Sequence, residues 1–499
     1  MPRFHRLIGL MLLVGSSVDC GTDTEPAADP HGQSGAGAAA GTGGVEAGST
    51  SGVGGGGGTT PLPPVDPNCT LPDAAFCDAF VKASPGGRAG DLDDARWGFA
   101  RLGFGCANSF AFPATPLNVC GTWNTVNPGG PDSAFCVTQE GDPRWAEGFH
   151  DNTSFNYIAA RIRQPFDFEG RTGTLQWEAD ARTSGGHGWW VETWLTDAPV
   201  PGANKHDDQL VSSKEALGVV LALNCGQSAA GAGTAGSGKM GVSDILLVHD
   251  YVAQAVYDPF SGPEANARCV TTEQGLLNTL QFKVSTGRIE VWASDAGSNE
   301  LRQIAEADID LGFSRGYVQL SHVHYNAHKA DVTSFQSYQW ARVAFDGPQL
   351  PTPRSYEIAD PLSPVPAAST CFTNDVFRIS YGVTDGVTYD LNAGSGTPSK
   401  LSFAGVDPTN GKSARLNFDT TYVAAGDTLS YRFNGKEWRD FAVPAISDTW
   451  ERQGFSVPVP VSDLTAGENT LELGTNTASF AMPPNSMHVA NIDLEIELP

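Results

Sequence analysis

Residues 171–201 read RTGTLQWEADARTSGGHGWWVETWLTDAPVP. From Leu175 to Arg182, apolar and polar side chains alternate, which is the period of a β-strand with one face in a core and the other face polar. An aromatic run from Trp189 to Thr196 follows after a Ser/Gly-rich turn. Two strand signals therefore lie on either side of this turn.

The same signature recurs outward from this pair in both directions. Short runs rich in Val, Ile, Phe, Tyr, Trp and Thr are separated by Gly, Asn, Asp and Pro, and helical periodicity is poor. The predicted strands are Tyr157–Ile162, Thr174–Arg182, Trp189–Thr196, Leu217–Leu223, Ile245–His249, Leu280–Val284, Ile289–Ala293, Tyr317–Tyr325, Tyr338–Phe345, Val376–Tyr381, Lys400–Phe403, Ala414–Phe418, Thr428–Phe433, Phe455–Val461, Thr470–Leu473 and His488–Ile496. This pattern predicts an all-β chain of β-sandwich or jelly-roll domains.

The N-terminus has the pattern of an export signal. Basic residues precede a short apolar stretch, Leu7 to Val18, and Cys20 follows it. The order resembles a bacterial lipoprotein signal over residues 1–20, which implies lipidation of Cys20 and anchoring in the outer envelope. Residues 21–66 are mostly Gly, Ala, Ser, Thr and Pro and are predicted to form a flexible linker. The protein is therefore predicted to be exported, and either anchored to the cell envelope or secreted.

Two folded domains are predicted after this linker. Residues 67–348 hold the first set of strands, and residues 371–499 hold the second. The segment between them, 349–370, is rich in proline, which is incompatible with a helix interior and typical of a stiff linker.

The nine cysteines indicate an oxidising compartment. Without Cys20, eight remain, an even number that suggests disulfide bonds. Sequence does not determine the pairing. Candidate disulfides between cysteines close in sequence are Cys69 with Cys77, Cys225 with Cys269, and two among Cys106, Cys120 and Cys136.

The charge and the motifs exclude two classes of partner. The formal net charge is −26, whereas a nucleic-acid-binding surface needs a basic stripe. The segment Gly233–Lys239 has the spacing of a phosphate-binding loop, but Met240 follows where that loop carries Ser or Thr. It also lies in a Gly/Ala/Ser-rich stretch, so neither nucleic acid nor nucleotide is expected as a partner.

Several segments carry a resemblance to known families. Residues 171–201, LLNTLQFKVSTGRIEVWASD (276–295), YVQLSHVHYNAHK (317–329) and SYQWARVAFDGP (337–348) resemble strands of the concanavalin A-like lectin and laminarinase-type glucanase superfamily. LTAGENTLELGTN (464–476) and HVANIDLEIE (488–497) resemble the closing strands of carbohydrate-binding jelly rolls. The resemblance implies a concanavalin A-like sandwich at 67–348 and a carbohydrate-binding-like sandwich at 371–499.

The laminarinase catalytic motif is not present. In those enzymes, two glutamates and an aspartate alternate on one strand, so that a nucleophile and a general acid flank the scissile bond. The corresponding strand here, Leu217–Leu223, reads LGVVLAL and has no carboxylate. Catalysis would therefore need other residues, and the candidates are Glu178, Asp180, Glu192, His322 and His324. For Glu178 and Asp180, the alternative is a solvated sheet face with cross-strand ion pairs.

The candidate carbohydrate-binding residues surround an aromatic cluster. Alternation places Trp190, Glu192, Trp194 and Thr196 on one strand face, where indoles can stack on pyranose rings and a carboxylate can accept hydroxyl hydrogen bonds. The alternative is that one or two of these tryptophans fill the core. The predicted binding set is Trp190, Glu192, Trp194, His322, His324 and Asn326. The two histidines are also interpretable as ordinary polar residues.

These observations predict an exported, surface-tethered protein that binds a polysaccharide through an aromatic-lined concave sheet. One alternative is a glycan-cleaving hydrolase or lyase with other catalytic residues, and another is a structural surface protein or adhesin. No cofactor and no metal site is predicted, although calcium is a candidate structural ion because Asp and Asn are plentiful in the turns.

Overall fold

A computed structural model of the chain describes residues that all lie within Gly52–Pro499. The described residues are 69–81, 92–93, 95–104, 133–138, 144–150, 155–182, 189–200, 203–204, 207–211, 213–222, 225, 238–257, 268–273, 275–325, 335–358, 389–392, 399–421, 428–442, 453–475 and 486–499. The predicted signal, the 21–66 linker and the lipidated Cys20 lie outside them.

Twenty-eight strands are present in the described chain. The first twenty are β1 (Phe76–Asp78), β2 (Trp97–Phe104), β3 (Ser133–Thr138), β4 (Arg144–His150), β5 (Phe155–Ile162), β6 (Phe166–Asp167), β7 (Gly173–Arg182), β8 (Trp189–Thr196), β9 (Ala203–Asn204), β10 (Asp207–Val211), β11 (Glu215–Ala222), β12 (Lys239–His249), β13 (Val252–Tyr257), β14 (Val270–Thr271), β15 (Asn278–Ser285), β16 (Arg288–Ser294), β17 (Leu301–Asp308), β18 (Arg315–Tyr325), β19 (Phe335–Phe345) and β20 (Arg354–Glu357). The others are β21 (Tyr389–Asn392), β22 (Ser399–Val406), β23 (Ser413–Thr421), β24 (Thr428–Phe433), β25 (Arg439–Ala442), β26 (Gln453–Val459), β27 (Gly467–Thr475) and β28 (Ser486–Glu497), and a 3₁₀ turn lies at Val461–Asp463.

The first sandwich consists of two large antiparallel sheets. Sheet A has the order β17-β16-β15-β7-β19-β4-β3, with β1 paired to β19. Sheet B has the order β13-β12-β11-β8-β18-β5-β2, with β14 on β12 and β6 on β18. One continuous hydrophobic core lies between them, because alternate side chains of each strand point inward, such as Trp177 from sheet A and Val191 from sheet B. A separate two-stranded sheet pairs β9 with β10.

The second sandwich is smaller and has its own core. Sheet C has the order β20-β28-β23-β26, with β21 paired to β28, and sheet D has the order β22-β27-β24-β25. Phe403, Phe433, Phe418 and Phe455 belong to the buried cluster between these two sheets. The cluster explains the period-2 pattern of β24, where Leu429, Tyr431 and Phe433 point inward.

The prediction of an all-β chain is confirmed. β8 and β24 have the predicted bounds, and the other predicted strands agree within three residues at each end, except that β12 begins at Lys239, six residues before the predicted Ile245. The predicted strand Val376–Tyr381 lies outside the described residues. Within the predicted proline-rich linker, Arg354–Glu357 form β20, which pairs with β28 at an edge of sheet C. The domain boundaries stay predictions.

Two predicted disulfides are confirmed. Cys69 is bonded to Cys77, and Cys225 is bonded to Cys269. The second bond lies next to the start of β12, where Gly241 leaves room for the Cys225 sulfur. Disulfides of this kind belong to proteins that fold in an oxidising compartment.

The two sandwiches contact each other through buried charged side chains. Arg161 on β5 donates hydrogen bonds to the carbonyl of Pro199 and to the carboxylate of Glu495 on β28. Arg163 donates to Ser355 Oγ and, over 3.0 Å, to Glu357 Oε1, both on β20. The outer face of sheet B, which points away from the first core, is therefore joined to sheet C at the β5 end.

The described part of the chain contains no helix with the length and hydropathy of a membrane span.

Candidate functional site

Glu192 and Trp194 lie together on the outer face of sheet B, as the alternation predicted. Their neighbours Val191 and Leu195 belong to the core between the sheets. Trp194 Nε1 donates a hydrogen bond of 3.0 Å to Glu192 Oε2. Both residues have 0% exposed surface. Neither therefore offers surface to a ligand in this structure.

The burial of Trp194 has a local cause. Gly218, on the adjacent β11, has no side chain, and a Cβ placed there would lie 2.3 Å from Trp194 Cζ3. The indole therefore lies across Gly218. It packs in a second apolar cluster with Val220, Leu246 and Val248, to which Tyr251 contributes. The indole that the sequence predicted to stack on a sugar is thus covered by other residues of the protein.

The backbone register separates the histidines from this cluster. On β18, Ser321 is opposite Glu192 and His322 is opposite Val191, while His324 is opposite Trp189. Alternation therefore assigns positions 322 and 324 to the strand face that carries Val191. For His322, His324 and Trp190 the structure describes the backbone alone, and Asn326 lies outside the described residues.

The structure also separates Glu178 and Asp180 from the Glu192 cluster. Both lie on β7 in sheet A, and they point outward because Trp177 and Ala179 belong to the core. The two outer faces are on opposite sides of the first sandwich. No single cleft can therefore combine Glu178 or Asp180 with Glu192.

Each of these two carboxylates is paired with an arginine. Arg342 on β19 donates to Glu178, and Arg144 on β4 donates to Asp180 over 2.7 Å. The Gly275 backbone N–H also donates to Asp180, over 3.0 Å. These contacts favour the interpretation of a polar sheet face with cross-strand ion pairs, because each carboxylate has an arginine partner on another strand of sheet A.

A groove in the second sandwich combines open space with an exposed tryptophan, which the Glu192 and Trp194 cluster on sheet B does not offer. It lies beside the edge strands β25 and β26 and has a volume of about 660 Å³. Its lining residues are Lys412, Ser413, Ala414, Tyr431, Trp438, Arg439, Asp440, Pro458, Val459, Pro460 and Val461. The side chain of Trp438 is 37% exposed, and it is the aromatic one among the exposed large apolar side chains of the described residues.

Local contacts position the Trp438 indole. The turn between β24 and β25 contains Asn434 and Gly435, both with positive φ, at 51° and 67°. Asn434 Nδ2 donates to Asp463 O over 2.9 Å, which holds the turn against the 3₁₀ segment. The Arg432 guanidinium lies 4.5 Å from the centre of the Trp438 ring, a cation–π distance. One face of the indole is thereby supported from within the protein.

Polar groups line the same groove as the indole. Arg439 forms an ion pair of 2.9 Å with Asp463, and Asp440 Oδ1 accepts a hydrogen bond of 2.7 Å from Ser430 Oγ. Tyr431 O–H donates to the carbonyl of Pro458 over 2.7 Å, and burial raises the pKa of this tyrosine. The arrangement offers ring stacking and hydrogen bonding.

The wall formed by β26 has an unusual backbone. Pro458 and Pro460 both line the groove, at the free edge of sheet C. Proline has no backbone N–H and is tolerated in a sheet at an edge.

Sequence reasoning did not identify Trp438. The signal was a tryptophan inside the charged turn NGKEWRD, residues 434–440. A large aromatic residue in a polar turn has no core to fill, so its exposure could have been predicted.

Within the described residues, no group of three or more His, Cys, Asp or Glu side chains is placed to hold a metal ion. Calcium therefore stays a prediction, without an assigned ligand set.

Comparisons with known proteins give weak structural similarities. No family model and no curated protein matches the chain. The carbohydrate recognition domain of Emp46p in its potassium-bound form is 11% identical, with a TM-score of 0.27, covering 43% of this chain and 88% of that one. The exoplasmic/lumenal domain of VIP36, bound to Ca²⁺ and Man3GlcNAc, is 10% identical, with a TM-score of 0.28, covering 44% and 84%. A Bacteroides ovatus mixed-linkage glucan GH16 protein, in complex with a G4G4G3G product, is 11% identical, with a TM-score of 0.32, covering 54% and 99%. Similarity at this level establishes neither a family nor a ligand for the chain.

Proposed function

We propose that the chain is an exported carbohydrate-binding protein, and that its glycan site is the groove around Trp438. The observation that carries the proposal is the exposed indole in a groove of about 660 Å³. An indole face packs well against the apolar face of a pyranose ring, and a few polar groups around it orient the hydroxyls.

The groove meets the physical requirements for such a ligand. Arg432 supports the indole from the protein side, so the ring is held before the ligand arrives and less conformational entropy is lost on binding. Asp440 and Ser413 supply oxygen atoms for hydroxyl groups at the groove wall. The proposal thus moves the sugar site from sheet B to the second sandwich.

A glycan array with the full chain tests the proposal. Trp438→Ala should weaken every glycan interaction about tenfold or more, because large aromatic residues carry much of the free energy at such contacts. Trp292→Ala is the matched control, since Trp292 lies on β16 in the first sandwich. Absence of any bound glycan, or unchanged binding by Trp438→Ala, would show that the proposal is wrong.

We also propose export through residues 1–20, which the two disulfides support, and tethering through Cys20, which the lipoprotein-like order of residues 1–20 supports. Cys20→Ser should abolish incorporation of labelled fatty acid and release the protein from the membrane fraction. Incorporation that persists in this variant would contradict tethering through Cys20.

A further inference from the structure

The groove around Trp438 has a different charge character from the chain as a whole. The chain carries a net charge of −26. The groove, in contrast, is lined by two cationic side chains, Lys412 and Arg439, and one carboxylate, Asp440. Arg439 is paired with Asp463, so the cation of this lining without a carboxylate partner among the described residues is Lys412, and such a cation favours a ligand with a negative group at that place.

Of the three charged groups, Lys412 is the one available to a ligand. Arg439 is held by Asp463 at 2.9 Å, and Asp440 accepts from Ser430. Lys412 is exposed, and among the described residues no carboxylate lies within ion-pair distance of its Nζ. Its backbone N–H donates to Glu497 O over 2.8 Å, so the start of β23 is anchored while the ammonium stays in solvent.

We propose that the sugar bound at Trp438 is a uronic acid, whose carboxylate is bound by Lys412. The inference rests on the proposed function, because it assigns a charge to the ligand of the same groove. The Trp438 indole stacks on the pyranose ring, and the Lys412 ammonium binds the carboxylate at the rim of the groove. A polysaccharide charged at every unit is disfavoured, since the net charge of −26 repels it.

A matched pair of ligands tests the inference. Methyl glucoside and methyl glucuronoside differ at one carbon, which carries a hydroxyl in the first and a carboxylate in the second. Titration followed by NMR should give the glucuronoside an affinity about two- to fivefold higher at low salt, the size expected for an exposed ion pair. The advantage should shrink at high salt, because exposed charges are screened.

Two lysine variants make the test specific. Lys412→Met should remove the advantage of the glucuronoside over the glucoside, so that the two ligands bind this variant with equal affinity. Lys436→Met is the control, because Lys436 is exposed in the turn before Trp438 and does not line the groove; this variant should keep the advantage.

The outcomes separate the two proposals. Equal affinity of the wild-type chain for both ligands, or an advantage that survives in Lys412→Met, overturns the charge assignment while the Trp438 site stands. If neither ligand nor any arrayed glycan binds, the proposed function itself is overturned, and the charge assignment with it.

Discussion

Arg161 and Glu495 form an ion pair across the contact between the two sandwiches, although 334 residues separate them in sequence. Arg161 is 7% exposed and Glu495 is 0% exposed. The guanidinium also lies 5.6 Å from the centre of the Tyr317 ring. Neither charge can recover its hydration without separating the sandwiches, so the pair is expected to couple them.

Removal of one partner of this ion pair should lower the free energy of unfolding much more than removal of both. Arg161→Met leaves the Glu495 carboxylate buried without its cation, and a cost of about 3–5 kcal/mol in the free energy of unfolding is expected. The double variant Arg161→Met/Glu495→Met should recover most of this loss. Urea unfolding of the double-mutant cycle measures the coupling. Arg288→Met, at the exposed Arg288–Glu306 pair, is the control and should change stability little. Additive effects at Arg161 and Glu495 would contradict the coupling.

Trp194 is expected to contribute to stability and not to glycan binding. Trp194→Ala should cost about 3–5 kcal/mol, because a fully buried indole is removed. Trp194→Phe is the milder variant if the alanine variant does not fold. Both measurements, urea unfolding and glycan binding, are needed on the same protein. Loss of binding in a folded Trp194→Phe protein would return the site to sheet B.

Gly218 should tolerate no side chain. An alanine Cβ would lie 2.3 Å from Trp194 Cζ3, so the indole must move, at an expected cost of about 1–3 kcal/mol. Gly287 is the matched control, because a Cβ at that position meets nothing within 4 Å. Thermal unfolding of Gly218→Ala and Gly287→Ala compares the two, and equal melting temperatures would be inconsistent with the packing described.

Asp197 should make stability depend on pH. Burial raises the pKa of this carboxyl above its ordinary value of 3.8, and its Oδ1 is buried without a hydrogen-bond partner in the described structure. Because the pKa is higher in the folded state, the folded chain holds this proton more tightly than the unfolded chain does. The protonated carboxyl therefore contributes stability below the unfolded pKa, and this contribution is lost as pH rises through the folded pKa. Asp197→Asn should therefore be more stable than wild type near neutral pH.

The difference in melting temperature between Asp197→Asn and wild type should grow from about pH 4 to about pH 7. A difference that stays constant over this range would show that Asp197 titrates alike in the folded and unfolded chains.

The two disulfides should differ in their effect on stability. Cys225–Cys269 spans 44 residues and Cys69–Cys77 spans 8. In the chain-entropy model, loops of these lengths correspond to about 4 and about 2.5 kcal/mol. The paired alanine variants, compared by urea unfolding, should rank in that order. The reverse order would indicate that native-state strain outweighs loop closure.

The strand pattern was predictable because it is local. Leu175, Trp177 and Ala179 alternate with polar residues, and this two-residue period requires only that one sheet face be buried. The same reasoning placed Glu192 and Trp194 on one face, and they do share it. The burial of Trp194 was not predictable in this way, because exposure depends on residues distant in sequence. Gly218 provides the space for the indole, and Tyr251, with its φ of 64°, contributes to the cluster beside it.

The contact between the sandwiches was not predictable for a similar reason. Arg161 and Glu495 each look like ordinary surface charges within their own strands. Their burial results from the docking of sheet C on sheet B, which no local period encodes. The Trp438 groove depends likewise on β23, β24, β25 and β26 meeting at one edge.

The prolines at the border of the groove disfavour one class of ligand, the extended peptide. Extended peptides are commonly captured by strand addition, in which an edge backbone donates and accepts hydrogen bonds in alternation. Pro458 and Pro460 interrupt that donor series at the free margin of sheet C. A neighbouring copy of the chain, or an unfolded segment in the surrounding medium, would find no continuous template there. The sheet C border of the groove is therefore unsuited to strand addition, while Trp438 stays open to solvent on the sheet D side.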